Sequence, residues 1–253
     1  MKHVVFTLLA FLIFSCKNEA KVESLSADEI INRSIKVSGG NNFDSIAIVI
    51  KFNFRDIMYK SSYTPEARVL SRLIVKEDDS ILDFLKGETF ERYVNDKPIK
   101  VEDSMAVKYK ASVNSVHYFS VLPYGLNDKA VNKTLLGEEK INDKFYYKIK
   151  VTFNQEGGGE DYEDVFIYWI DKELFKVDYL AYSYNEEDGV GMRFREAYNE
   201  RYVNGLRFVD YNNYKAEDAT IQLLDLGKAF DKNQLKLLSK IELENVTVDL
   251  INL

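Results

Sequence analysis

The chain of 253 residues is poor in the residues on which most enzyme chemistry is built. Cys16 is its only cysteine, so no disulfide can form within the chain. It has two histidines, His3 and His117, too few to join that cysteine in a zinc site. A Ser-His-Asp arrangement would need His117 as its base, and no nucleophile-elbow motif accompanies it. A lone histidine on a helical segment is read as structural. No phosphate-cradling loop and no dinucleotide fingerprint is present. With only three prolines and 13% aromatic residues, extensive disorder is not expected. Basic charge is also scarce: 34 Lys and Arg against 41 Asp and Glu leave a net charge of −7. That balance excludes nucleic acid as a partner and argues against broad electrostatic docking onto anionic lipid. The one unbroken apolar run, Val4 to Phe14, is far shorter than the roughly 20 residues a spanning helix needs. The expectation is a chain with no catalytic residue, no metal and no cofactor.

What is present begins at the N-terminus. Met1, Lys2 and His3 form a basic lead, and Val4–Phe14 has the length of a signal-peptide core. The run ends in Ile13-Phe14-Ser15-Cys16, which resembles a bacterial lipobox with Ser15 as the small residue before the lipidated cysteine. Residues 1–15 are therefore expected to be a signal peptide, Cys16 the lipidation site, and 16–25 a polar tether. Lys17, Asn18 and Glu19 resemble the short charged signal that carries some Bacteroidota lipoproteins to the cell surface, or they are simply part of the tether. The predicted location is the cell envelope: lipid-anchored in the outer membrane, facing the periplasm or the surface.

The rest, 26–253, reads as one β-rich domain. Ser26 and Glu29 make a capping box, and Ile30, Ile31, Ser34 and Ile35 follow at helical spacing until Gly39-Gly40. Alternating apolar residues then predict strands at 46–54, 56–63, 68–77, 80–86 and 88–95. A second helix is predicted over 102–119, with Met105, Tyr109, Val113 and Val116 on one face. Further strands are predicted at 143–153, 162–170, 174–184, 190–203 and 206–215. Their turns are short, Asn204-Gly205 being the clearest hairpin signal. A short helix at 232–237 and a strand at 239–247 complete the reading. The fold class is mostly β with a few helices, built on a large curved antiparallel sheet.

Several stretches are distinctive: Leu122-Pro123-Tyr124-Gly125-Leu126, Gly157 through Phe166, Tyr168-Trp169-Ile170-Asp171, Asp178 through Tyr184, and Arg193 through Asn199. Together they resemble an uncharacterised family of Bacteroidota envelope lipoproteins. At fold level that family is similar to the lipoprotein carriers of the Lol system. The resemblance implies a half-open antiparallel barrel covered by helices, with an apolar cavity.

More than half of the 17 tyrosines fall between 162 and 214. Phe166 and Tyr168 share one face of their strand, and Val165, Ile167 and Trp169 share the other. Both faces are apolar, so both must be covered. Aromatic residues with a polar end suit a cavity wall. The candidate ligand-binding residues are Trp169, Tyr168, Tyr179, Tyr182, Phe194, Glu196 and Tyr198. Glu196 lies between Phe194 and Tyr198 on one face, while Arg193 and Arg195 take the other. Three readings follow. One is a non-enzymatic lipoprotein binding a lipid-like or amphiphilic ligand. Another is a module that binds a second envelope protein. The last is a hydrolase using carboxylates such as Glu196 and Asp164. The loop Gly157–Asp164 reads as a solvated hairpin tip, with a calcium site as its rival.

Overall fold

The computed structural model describes residues 25–44, 46–186 and 189–251. The expected signal peptide, Cys16 and the expected tether up to residue 24 lie outside the described residues.

The first helix, α1 (Ala27–Val37), starts where its capping box predicts, with Ser26 Oγ accepting from the Glu29 amide and the Glu29 carboxylate accepting from the Ser26 amide. Leu25 before the cap and Ile30 after it join the same apolar cluster, which fixes the entry of the chain. At the other end Gly39 has φ +80°, and a Cβ there would run into the carbonyl oxygen of Gly205. Glycine at 39 thus lets the end of the helix seat on a distant hairpin, where the Arg207 amide donates to Ser38 O at 3.0 Å.

Among the described residues fourteen strands form two antiparallel sheets of seven. The first sheet is built from β1 (Ala47–Phe54), β2 (Ile57–Tyr63), β3 (Arg68–Lys76), β4 (Asp79–Lys86), β5 (Thr89–Val94), β6 (Lys97–Ile99) and the last strand, β14 (Glu244–Ile251), which pairs with β1. The second runs as a meander through β7 (Val131–Ile141), β8 (Lys144–Phe153), β9 (Val165–Asp171), β10 (Val177–Glu186), β11 (Gly189–Val203), β12 (Leu206–Ala216) and β13 (Leu235–Ile241). Neither sheet closes on itself. The mostly β, antiparallel, helix-covered fold is as expected, with the strands divided between two sheets rather than one.

Three local expectations are corrected. β7 was not expected; in it Val131, Lys133 and Leu135 are half-buried while the residues between them are exposed, and Gly137 interrupts the register against β8. The predicted helix at 232–237 is instead α3 (Leu226–Asp231), and 235–241 is a strand. The single strand expected at 239–247 is two strands in different sheets, because the chain leaves β13 after Ile241 and re-enters with β14 at Glu244. Tertiary pairing at each sheet edge overrides local pattern there.

The second helix, α2 (Asp103–Ser120), lies against the first sheet. Its C-terminal half buries Val113, His117 and Ser120, whereas Met105, expected on the buried face, is exposed. What holds the helix is a charged row across the strands. Arg72, Asp83 and Arg92 are register partners on β3, β4 and β5. Asp83 is fully buried and receives Arg72 Nε at 2.8 Å and Arg92 Nε at 2.6 Å. Arg72 also donates to Ser112 Oγ at 2.7 Å, and Arg92 stacks on Tyr109 at 3.6 Å, so both arginines bind the helix to the sheet.

The second sheet is covered on both faces, as its two-sided apolar pattern requires. Phe166, Tyr168, Ile149 and Val151 pack with Ile30 and Ile31 of α1. On the opposite face Trp169, Ile167, Tyr179 and Phe194 pack beneath α3. Among the described residues no helix is long and apolar enough to cross a membrane.

Candidate functional site

Both sheets, α2, the turn at 124–130 and the loop at 157–164 contribute to a cavity of about 620 Å³. That size lies within the range of roughly 300–1,000 Å³ typical of small-molecule sites. The first sheet supplies Phe54, Tyr63, Arg68 and Leu70; the second supplies Phe153, Phe166, Tyr182, Arg195, Val209 and Tyr211. The residues from Asn114 to Ser120 on α2, and Val121 just past its end, complete the wall. Phe166 is the centre of an aromatic cluster, with Phe119, Phe153 and Tyr182 at ring centroid distances of 5.3–6.0 Å. The rim is acidic: Glu160, Asp161 and Glu163 are exposed, and Asp164 is half-buried. Lys110 holds the loop to the helix side through Glu160 at 2.9 Å.

The sequence-predicted residues divide between the two faces of the sheet. Strand register places Trp169, Tyr179, Phe194 and Glu196 on one face, since Tyr179 pairs with both Trp169 and Glu196. Tyr198 follows on the same face, half-buried, its hydroxyl donating to Glu242 at 2.8 Å. This face is the one α3 covers, not the one that lines the cavity. Trp169 is completely buried, its Nε1 donating to Glu139 at 3.1 Å. Gly227 of α3 presses so closely that an added Cβ would lie 2.7 Å from the indole ring. Here the aromatic residues fill a core. Tyr168 lies on the cavity face but is roofed by Tyr118, the two hydroxyls 2.7 Å apart. Of the seven, Tyr182 alone is part of the cavity wall.

The carboxylates named for hydrolysis are not brought together. Glu196 accepts from Asn212 and Tyr214, each at 3.0 Å, on the α3 face. Asp164 lines the cavity on the other side, and burial, then the neighbouring Asp161, push its pKa up to about 7. Among the described residues no three carboxylate, histidine or cysteine side chains converge as metal ligands would.

His117 lines the cavity and is 1% exposed. Its Nε2 lies 3.0 Å from the carbonyl oxygen of Ser71, so Nε2 carries the proton of the neutral ring, and the buried Nδ1 has no partner among the described residues. Burial lowers its pKa from 6.5 to about 4. Below pH 6.5 the unfolded chain takes up a proton that the folded chain refuses, so folding stability falls with pH. The loss from this one group is expected to reach about 3 kcal/mol near pH 4. Asp164 acts in the opposite sense in the same window, its raised pKa costing stability as pH rises from 3.8 towards 7. Chemical denaturation of the wild type and of His117→Phe, at pH 7.5 and at pH 4, separates the two. The stability difference between the proteins should shift by about 3 kcal/mol in favour of the variant at the lower pH; an unchanged difference would mean that His117 is accessible to protons in the fold.

Sequence reasoning missed most of the wall. Arg195 was recognised only as lying opposite Glu196, and Phe119 and Val209 gave no local signal, because three separate segments bring them together.

Comparison with known proteins adds a family. The model of a family described as "Family of unknown function (DUF6503)" matches residues 2–243, and the chain belongs to it. No curated protein matches the sequence. Among solved structures, a LolA superfamily protein from Nitrosomonas europaea is 11% identical, with a TM-score of 0.45 over 89% of this chain and 92% of that one. A DUF1329 family protein from Desulfovibrio piger is 12% identical, with a TM-score of 0.41 over 89% and 94%. The lipoprotein LppX from Mycobacterium tuberculosis is 11% identical, with a TM-score of 0.26 over 62% and 86%. Likenesses of this degree say nothing about activity, ligand or partner.

Proposed function

We propose that this chain, a member of that family of unknown function, is an envelope lipoprotein that binds a lipid-like ligand in the cavity between its sheets and α2. The observation that carries the reading is the cavity itself: about 620 Å³, with Phe119, Phe153, Phe166, Leu70 and Val209 forming an apolar part of a wall that also carries Arg68, His117, Asp128, Asp164 and Arg195. The apolar part of the wall, left facing water, would be covered favourably by an apolar chain. The sequence around Cys16 supports an anchor in a bacterial membrane, with the outer membrane as its place. A binding role also agrees with the separation of Glu196 from Asp164, the two carboxylates named for hydrolysis.

The test fills the space. Val209 is buried and lines the cavity, so Val209→Trp should occupy part of it at a stability cost of roughly 1–3 kcal/mol. Native mass spectrometry of the full chain, purified from its membranes in detergent, should show a lipid-sized adduct that the folded variant loses by at least ten-fold. Equal adduct on both proteins would overturn the cavity reading. Trp169 emission should not respond to the ligand, because the indole is sealed under α3 on the opposite face. A saturable change in its emission on titration would place the ligand elsewhere.

A further inference from the structure

We infer that the ligand carries an anionic headgroup and that Arg195 is its anchor, a reading that rests on the cavity being a lipid site. Four cations among the described residues are buried: Arg72, Lys148, Arg195 and Arg207. Three have carboxylate partners. Arg72 holds Asp83, Lys148 holds Glu139 at 2.7 Å, and Arg207 holds Glu200 at 3.2 Å. Arg195 differs. It is 8% exposed, yet among the described residues no carboxylate lies within 4.0 Å of it. Among the described residues its one hydrogen bond runs from Nη2 to the Tyr182 hydroxyl at 2.9 Å, and its buried Nε finds no acceptor.

A charge buried without a counter-charge is unfavourable by several kcal/mol unless its surroundings compensate. Aromatic faces compensate in part: the guanidinium lies 3.7 Å from the centre of the Phe119 ring, 5.1 Å from Tyr182 and 5.8 Å from Tyr211. These contacts use none of its N–H donors, and apart from the Nη2 bond to Tyr182 the donors have no acceptor among the described residues. Guanidinium donors match carboxylate and phosphate oxygens in pairs. Arg195, Phe119, Tyr182 and Tyr211 all line the cavity, so the unused donors and the apolar walls serve one molecule. The acidic rim strengthens the assignment, since Glu160, Asp161 and Glu163 would repel an anionic head left at the mouth. The head belongs at Arg195 and the chain against the aromatic walls. Carboxylate and phosphate share this chemistry.

Three probes of one chain length separate the possibilities: palmitate, cetyl phosphate and cetyl alcohol, each titrated against the full chain in detergent and read by native mass spectrometry. The wild type should bind at least one of the two anions ten-fold or more tightly than the alcohol, and the favoured anion identifies the headgroup. Arg195→Leu should erase that preference while leaving alcohol binding within about two-fold, and Arg195→Lys should retain part of it. Equal binding of all three probes by the wild type would overturn the anchor and leave the cavity reading standing, as would a preference that survives in a folded Arg195→Leu. Binding of none would overturn both. The wild-type comparison decides the matter even if the leucine variant fails to fold.

Discussion

Replacing Cys16 with alanine should move the protein from the membrane fraction to the soluble one almost completely. The basis is the lipobox-like Ile13-Phe14-Ser15-Cys16 and the energetics of acyl anchors. A single myristoyl chain gives only marginal, reversible binding, on the order of 10⁴ M⁻¹, whereas each further buried methylene adds about 0.8 kcal/mol. A cysteine carrying more than one acyl chain is therefore held permanently, and without the cysteine there is nowhere to attach them. The apolar run Val4–Phe14 is too short to replace the anchor by spanning the bilayer as a helix. Nor does the acidic surface supply electrostatic adhesion: the chain has a net charge of −7. Fractionation of cells expressing each form, with an alkaline wash of the pellet, reads the result. A variant that stays in the washed pellet would show that the chain is held by something other than lipid on Cys16.

The largest loss of stability from one side chain should come from Asp83→Ala. The carboxylate is completely buried and balances two arginines that are themselves about nine-tenths buried. Removing it leaves Arg72 and Arg92 facing one another across β4 with no counter-charge. Breaking a buried pair by deleting one partner typically costs about 3–5 kcal/mol, most of it the penalty of stranded charge. For a chain of this size that corresponds to a fall in Tm of roughly 10 °C. The pair at Lys110 and Glu88 is a useful control, because Glu88 is 82% exposed and screened by water; Glu88→Ala should cost less than about 1 kcal/mol. The loss at Asp83 should also reach the cavity. Arg72 and Arg92 bind Ser112 and Tyr109 of α2, and the residues just beyond them on that helix form the cavity wall. Asp83→Ala should therefore weaken ligand retention as well as stability. Thermal unfolding of both variants tests the first claim and adduct retention the second; a change below 1 kcal/mol at Asp83 would mean that the cluster is hydrated and that the helix is held by its apolar contacts alone.

Much of the fold was legible in the sequence because its signals are local. The Ser26–Glu29 box starts α1 at the expected residue, since capping depends only on positions three apart. Alternation placed the strands from β1 to β5 and from β8 to β12 within a few residues. Where the signal is not local, reading failed. β7 alternates mainly between half-buried and exposed positions, and it becomes a strand by pairing with β8. The chain from 235 to 251 crosses from one sheet to the other, and no local pattern marks a change of sheet.

For the site the division is sharper. Composition alone placed Trp169, Tyr179, Tyr182 and Phe194 in an aromatic region buried on both faces, and alternation correctly sorted Arg195 to the face opposite Phe194 and Glu196. Period two tells which residues share a face; it does not tell which face is filled and which is hollow. That depends on what packs above each. On one face α3 descends onto Trp169, with Gly227 allowing the close approach, and the space is filled. On the other, α1 covers part of the face, and between it and α2, which the Arg72–Asp83–Arg92 row binds to the first sheet, a cavity remains. The sequence by itself determined the acidic charge, and, from patterns within a few residues along the chain, most of the strands, the first cap and the pairing of faces. Only the tertiary structure decided which aromatic face is core and which is wall, because that choice rests on helices tens of residues away.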